Sequence, residues 1–191
     1  MAEVDRWETL ESEQLADCRV FSVRRDDKQR VSLDQQRAGQ RHSFFVIDSP
    51  NWINVVALDR AGDVVLIEQY RQGTDSVTLE VPGGLVDPGE DPLQSAIREL
   101  REETGYVSDA WHHLGTTLPN PAIQSNRLDT FLALNAVQAE RPEFDTTEHI
   151  EVTVASLDSA LDMVVSGEID HALVIVALHR AQRWLNAHRN R

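Results

Sequence analysis

The sequence is poor in cysteine, and it has no long apolar run. Cys18 is the single cysteine among 191 residues, so we expect a small buried side chain there, with no internal disulfide and no thiolate metal cage. No apolar run approaches the ~18 to 20 residues of a membrane helix, so we expect no membrane span. Residues 1–5 lack a basic start followed by an apolar stretch, so we expect no secretory signal and a cytoplasmic location.

Basic residues are also scarce. The chain has 18 Lys and Arg against 32 Asp and Glu, a formal net charge of −14. A field of that sign repels nucleic-acid backbones and anionic membrane surfaces, so we expect neither as a partner. It would also repel a phosphorylated metabolite unless bound cations reverse the local charge. The hydrophobic fraction of 41% is that of an ordinary globular domain.

Local patterns predict interleaved strands and helices. Residues 1–15 and 24–41 are polar, and we expect the former to be loosely held and the latter to be rich in turns. β-branched and aromatic residues predict strands at 19–23, 42–47, 53–58, 64–67, 77–81, 129–134 and 150–154. Caps and apolar spacing predict helices from Pro92 to a stop at Gly105, from Ser156 to Gly167, and from about Asp170 onward. This order favours an α/β fold with a mixed sheet.

The first predicted helix carries a cluster of carboxylates. Glu99, Glu102 and Glu103 are spaced i, i+3 and i+4, so they share one face, which we expect to point away from the core. Neighbouring carboxylates repel each other, and hard divalent cations such as Mg²⁺ bind carboxylate oxygens. Gly83 and Gly84 precede the helix and suit a loop whose backbone approaches a ligand closely, and we expect a glycine-only conformation at Gly84.

The spacing of these residues resembles the Nudix box. Seven identities and two apolar positions match, with Tyr106 the looser of the two, and chance matching is on the order of 10⁻⁸ per start position. The matching residues are Gly84, Glu90, Arg98, Glu99, Leu100, Glu102, Glu103, Gly105 and Tyr106. The resemblance implies a Nudix α/β/α sandwich with a mixed sheet over residues 49–191, preceded by a small antiparallel β-sheet segment over residues 1–48.

The resemblance also implies roles for residues of the box and for one residue beyond it. Mg²⁺, with Mn²⁺ as a substitute, would be bound by Gly83 through its carbonyl and by Glu99, Glu102, Glu103 and Glu148. Gly84, Glu90, Arg98 and Gly105 would be structural, with Glu90 and Arg98 bracing the loop and helix. Glu148 would be the general base, with the box glutamates, including Glu102, next in line, and Glu151 as its nearest competitor.

Further segments are similar to the ADP-ribose pyrophosphatase branch of the family. They are residues 65–71, 79–84 and 167–173, together with Pro121, although residues 119–122 depart from the branch's serine-proline-glycine form. The resemblance implies hydrolysis of ADP-ribose to AMP and ribose 5-phosphate, and a homodimer. A hydrolase of another nucleotide sugar such as ADP-glucose, and a non-catalytic ligand-sensing regulator, are the alternatives.

Four residues are candidates for substrate contacts. Arg71 stands at a strand end, where it can bind a phosphate bidentately, and Arg127 is a similar candidate. Trp52 can stack on a base, and Pro121 is the marker of the branch. His112 and His113 are adjacent in the sequence, which is too close for two metal ligands on one helical face, and they lack a third ligand. We therefore expect no metal site there.

Overall fold

A computed structural model describes residues 4–32, 34, 36–142 and 149–188. The chain divides into two compact units. The first unit contains the described parts of Met1–Pro50 together with Leu118–Asn126, and the second contains those of Asn51–Thr117 and Arg127–Arg191.

The first unit is built on a three-stranded antiparallel sheet. Its strands are β1 (Arg6–Asp17), β2 (Ser22–Val31) and β3 (Arg41–Asp48), with β2 in the centre. Asp26 on β2 is buried and is bonded by Ser12 and Arg24. Burial acts to raise the pKa of Asp26, but these hydrogen bonds outweigh it and hold the pKa below its usual value.

Two predictions for this segment were wrong. Residues 1–15, expected to be loosely held, provide most of β1, and the polar stretch 24–41 provides most of β2. Backbone pairing with β2 holds β1, while eleven of the twelve residues of β1 remain exposed. Polar residues are tolerated in β2 because their charges pair across strands, as Arg25 does with Glu13. The predicted strand at 42–47 is confirmed as β3.

The second unit contains an eight-stranded sheet and three helices. Its strands are β4 (Trp52–Asp59), β5 (Asp63–Arg71), β6 (Ser76–Glu80), β7 (Gly83–Leu85), β8 (Tyr106–Val107), β9 (Ala110–Thr117), β10 (Leu128–Gln138) and β11 (Ile150–Ser156). Its helices are α1 (Pro92–Thr104), α2 (Leu157–Ser166) and α3 (Ala172–His188). β4 and β10 are parallel, whereas the remaining pairs are antiparallel, so the predicted mixed sheet is confirmed.

The sheet separates two apolar clusters, as the alternation of β4 shows. Ile53, Val55 and Ala57 pack with Ala96 and Leu100 of α1. Val56 and Leu58 point the other way and pack with residues of α2 and α3, namely Ala160, Val174, Ala177, Leu178 and Ala181. The order helix, sheet, helix confirms the predicted α/β/α sandwich.

Local signals set the helix ends, and the predictions for α1 and α2 are confirmed. The Asp91 side chain accepts a hydrogen bond from the N–H of Leu93, and Pro92 occupies the first helical position. Gly105 ends α1 with a φ of 72°, a left-handed conformation that glycine adopts without steric cost. Ser156 and Gly167 cap α2 in the same manner.

His112 and His113, a pair from which we expect no metal site, lie on strand β9, so their side chains point to opposite faces of the sheet. One further expectation is corrected. Cys18 is exposed rather than buried, because it lies in the tight connection between β1 and β2. Within the described residues no helix is long and apolar enough to cross a membrane.

Candidate functional site

The candidate site begins with the short strand β7, which runs beside β4. Gly83 and Gly84 pair with Asn54 and Ile53, so the backbone of the loop is fixed by the central sheet. A Cβ added at Gly83 would lie 2.5 Å from the carbonyl oxygen of Ile53 and 2.8 Å from Oδ1 of Asn54. Glycine at position 83 is therefore required by close approach of the neighbouring strand.

Gly84 is required for a different reason from the one that the sequence suggests. Its φ is not in the left-handed region, so the expected glycine-only conformation is wrong. A Cβ at this position would instead overlap the carboxylate of Glu99. The absence of a side chain at Gly84 lets the Glu99 carboxylate lie directly against the loop, with a side-chain exposure of 16%.

Glu103 reaches the same loop from one turn further along α1. Its Oε2 accepts a 2.9 Å hydrogen bond from the backbone N–H of Gly83, and the residue is 5% exposed. The expectation that the glutamate face points away from the core is therefore wrong for Glu103. The loop comes back over the helix, so two carboxylates converge on Gly83 and Gly84.

Arg98 connects the loop to the helix and neutralises part of this charge. Its Nη1 donates to Glu99 at 2.8 Å and to Glu102 at 3.3 Å. Its Nη2 donates to the carbonyl oxygen of Leu85 at 3.2 Å and to Glu90 at 3.1 Å, while Nε donates to the other oxygen of Glu90. One guanidinium thus links three carboxylates to the backbone of β7.

These contacts shift the protonation of the two bracing residues. Hydrogen bonds from Arg98 and then from Ser95 lower the pKa of Glu90 to about 2. The pKa of Arg98 is raised above its usual value, first by its hydrogen bonds to Glu90. Glu90 is therefore ionised at every pH at which an enzyme normally works.

Arg71 and Glu80 form a second charged pair that the sequence analysis did not foresee. Nε and Nη2 of Arg71 each donate to one carboxylate oxygen of Glu80 at 2.7 Å, and Glu80 is 3% exposed. Burial acts to raise the pKa of Glu80, but the hydrogen bonds from Arg71 and Thr78 outweigh it and lower the pKa. A lone acidic residue in the apolar stretch before Pro82 is the signal that could have indicated Glu80.

The remaining predicted substrate residues are distributed over the molecule. The N–H of Trp52, at the start of β4, donates to the carbonyl oxygen of Arg127, so these two residues are neighbours. The N–H of Arg127 donates to Asn51, and the residue is exposed. Pro121 is exposed and belongs to the first unit.

The predicted general base falls outside the described residues. Glu148 precedes β11, which begins at Ile150. Ile150 is buried, whereas Glu151 is exposed and lies 3.8 Å from the ring of His149. Strand alternation therefore places Glu151 on the face opposite to Ile150, as expected.

Comparison with known protein families matches the part of the chain that contains this site. A family model described as NUDIX domain matches residues 50–175, which contain β7, α1 and the glutamates that meet at this site. The chain belongs to the Nudix family. The predicted membership is confirmed, and the protein is a Nudix hydrolase.

Relatives of this Nudix hydrolase cover nearly the whole chain. The ADP-ribose pyrophosphatase of Bacillus subtilis (strain 168) is 29% identical over 175 residues, 91% of each chain. The ADP-ribose pyrophosphatase of Mycobacterium tuberculosis (strain H37Rv) is 30% identical over 181 residues, 93% of this chain and 84% of that one. The crystal structure of an ADP compounds hydrolase matches with a TM-score of 0.83 and 24% identity over 98% of both chains, which shows the shared fold.

Nudix hydrolases generally use divalent metal ions, and the donors at this site fit such an ion. The Glu99 carboxylate lies against Gly84 and that of Glu103 against the N–H of Gly83, so hard oxygen donors from the helix meet backbone of the loop. Within the ranges that the structure describes, no three His, Cys, Asp or Glu side chains form a group ready to hold an ion. In the structure the guanidinium of Arg98 provides the positive charge beside Glu99 and Glu102.

Proposed function

We propose that this Nudix hydrolase cleaves the phosphoanhydride of a nucleoside diphosphate linked to a sugar, and that ADP-ribose is its substrate, giving AMP and ribose 5-phosphate. The observation that carries the proposal is the convergence of Glu99 and Glu103 on the Gly83–Gly84 loop. Two relatives that align with most of the chain are ADP-ribose pyrophosphatases, which supports the choice of substrate.

The metal of the proposed reaction is Mg²⁺, with Mn²⁺ as a substitute. The residues that would hold it are Glu99, Glu102, Glu103 and the carbonyl of Gly83, with Glu148 as a further ligand. When bound, such ions offset the charge of the diphosphate and lower the pKa of a bound water. Bound cations would also resolve the conflict between an anionic substrate and a chain of charge −14.

Arg98 and Glu90 keep the loop and the helix aligned in this proposal. The bonds from Arg98 to Glu90 and to the carbonyl of Leu85 do not involve Nη1, which faces the metal-binding carboxylates. These bonds of Arg98 would therefore persist if Glu99 and Glu102 held a metal ion in place of Nη1. We assign Arg98, Glu90, Gly84 and Gly105 structural roles.

We assign the general base to Glu148. In the sequence it lies two residues before Ile150, the first residue of β11, and β11 pairs with β5. A carboxylate that accepts the proton of the attacking water makes that water a stronger nucleophile. The box glutamates, Glu102 among them, are the alternative.

Arg71, Trp52, Arg127 and Pro121 are the proposed substrate contacts. Glu80 bonds both Nε and Nη2 of Arg71, which fixes the plane of the guanidinium and reduces the entropy lost when a phosphate binds. Trp52 can stack on a base, and its backbone N–H donates to the carbonyl oxygen of Arg127, so the two residues lie where the neighbouring strands β4 and β10 begin.

We also propose a homodimer formed through residues 1–48. Within the described strands β1 pairs only with β2, so one edge of β1 is open. Large apolar side chains are exposed in the same unit, namely Leu10, Leu15, Val20, Phe21, Val31, Phe44 and Phe45. An open edge and exposed apolar residues favour a protein interface there.

A substrate panel tests the proposed reaction. ADP-ribose, ADP-glucose and GDP-mannose are incubated with the enzyme at one Mg²⁺ concentration, and release of the nucleoside monophosphate is measured. We expect kcat/KM for ADP-ribose to be the highest by at least tenfold. A preference for ADP-glucose would overturn the choice of sugar, and no monophosphate from any of the three would overturn the reaction.

A further inference from the structure

The second unit has a concave surface away from the residues assigned above. It is a groove of about 770 Å³ between α3 and β9, within the size range of small-molecule sites. Its apolar lining comes from both elements and consists of Leu114, Ile175, Val176, Trp184 and Ala187. None of these residues belongs to the Nudix box.

Arg180 is fixed at the edge of this groove by the backbone of β9. Its Nη1 donates to the carbonyl oxygen of Leu114 at 3.4 Å, and Nη2 donates to that of Thr116 at 3.2 Å. Among the described strands β9 pairs only with β10, so these carbonyls belong to an otherwise open edge. Two backbone carbonyls therefore hold the guanidinium of Arg180 in place, with no carboxylate among the described residues as its partner.

Gly115 makes this position of Arg180 accessible. Its φ is +115°, and a Cβ there would lie 2.8 Å from Nη1 of Arg180. The register of β9 against β10 shifts at the same place, which marks a β-bulge. The bulge and the glycine together leave room for the guanidinium beside β9. Two hydrogen bonds to the backbone engage only two of its five N–H donors.

The groove concentrates positive charge on a strongly acidic chain. Arg183 follows Arg180 by about one helical turn and is exposed, and α3 contains no Asp or Glu. Within the described part of the chain neither arginine forms an ion pair. His179 and His188 also line the groove. His113 borders it from β9, but its side chain points to the face of the sheet opposite to His112, where it packs on Phe131 and bonds Asp129 at 2.8 Å.

Stacked aromatic rings form one wall of the groove. The ring of His188 stacks on Trp184 with centroids 4.0 Å apart and an angle of 14° between the planes. His112 packs against Trp184 with centroids 4.4 Å apart. Trp184 and His188 both line the groove, so this pair of rings presents aromatic surface to a ligand.

We propose that this groove is a binding site for a small organic anion with a planar aromatic body. Arg180 and Arg183 would bind the phosphate or carboxylate of the ligand, and the aromatic body would lie along the apolar lining beside Trp184. The site is separate from the metal-binding residues, so binding here does not require hydrolysis.

Calorimetric titration with four probes tests the site. They are 1-naphthyl phosphate, 1-naphthoate, neutral 1-naphthol and inorganic phosphate, so the anion and the aromatic body are varied separately. We expect either aromatic anion to bind at least about tenfold more tightly than 1-naphthol or inorganic phosphate, since each of these lacks half of the recognised chemistry. The tighter of the two aromatic anions identifies the preferred acidic group.

Three variants locate the binding. Arg183→Ala should weaken binding of the aromatic anions by about tenfold, whereas Arg60→Ala, at an exposed turn elsewhere, should leave it unchanged. Ala187→Trp adds bulk inside the groove and should weaken binding of both aromatic anions without removing a charge. Hydrolytic activity should stay the same in all three variants.

Equal affinity in Arg183→Ala and Arg60→Ala, or wild-type affinity in Ala187→Trp, would overturn the proposal. So would inorganic phosphate binding as tightly as 1-naphthyl phosphate. These results are independent of the Nudix reaction, because none of the variants changes a residue assigned to it.

Discussion

The carboxylate of Glu103 accepts a hydrogen bond from the backbone N–H of Gly83, twenty positions earlier in the chain. This contact buries a charged side chain at the point where the loop meets α1. Glu103 therefore has two functions: it positions the glycine loop, and it supplies an oxygen donor for the proposed metal site.

Glu103→Gln and Glu103→Ala should differ in stability. The amide oxygen of glutamine can still accept from Gly83, so we expect the free energy of unfolding to stay close to that of the wild type. Alanine leaves the N–H of Gly83 without this partner and should lower the free energy of unfolding by about 1–3 kcal/mol. Urea unfolding measures both. Equal stability of the two variants would show that the hydrogen bond does not matter.

Gly83→Ala and Gly84→Ala should have separable effects. At Gly83 the added methyl group meets backbone of β4, so we expect a loss of stability of about 1–3 kcal/mol. At Gly84 it meets only the end of the Glu99 side chain, which can move, so activity should fall more than stability. Gly73→Ala is the control, since Gly73 has no neighbour there and no positive φ. If Gly84→Ala retains full activity, Glu99 does not need its place beside the loop.

Glu90 should make stability depend on pH in acid. The pKa of Glu90 is about 2 in the folded protein, against an ordinary value of 4.5 for a glutamate, so the folded state favours the ionised form. The resulting stabilisation is present above about pH 4.5 and is lost as the pH falls towards 2. The difference in free energy of unfolding between wild type and Glu90→Gln should therefore shrink between pH 5 and pH 3 in urea titrations. A constant difference would contradict the assigned pKa.

The general base is tested by Glu148→Gln with Glu151→Gln as its matched control. Replacing a general base should lower kcat by ~10²–10⁴ with little change in KM. Glu151 is exposed on β11, so its substitution should have a milder effect. Activity of Glu148→Gln within a few-fold of wild type from pH 6 to 9 would move the role to the box glutamates.

Features encoded by neighbouring residues could be predicted from the sequence. The ends of α1 depend on Asp91, Pro92 and Gly105, which act within one helical turn, and the Nudix box lies within a single segment. β1 and β2 could not be predicted in the same way, because polar strands form only through pairing with each other.

Contacts between distant segments explain the other differences at the site. The burial of Glu103 and the need for glycine at position 84 both arise because β7 folds back over α1. The pairing of Arg71 with Glu80 depends on the register between β5 and β6, which the composition of either strand does not reveal. Sequence reasoning singled out the carboxylates that we propose as metal ligands, but not the backbone that positions them.

The most direct test of the central claim is AMP release from ADP-ribose, measured against Mg²⁺ concentration for wild type, Glu99→Gln and Glu103→Gln, with the exposed Glu168→Gln as control. Each glutamine variant removes one charged oxygen donor, so we predict that kcat/KM falls about 100-fold or more at limiting Mg²⁺ in both, with circular dichroism unchanged and the control fully active. Turnover near that of the wild type in both variants at limiting Mg²⁺ would contradict the assignment of Glu99 and Glu103 as metal ligands.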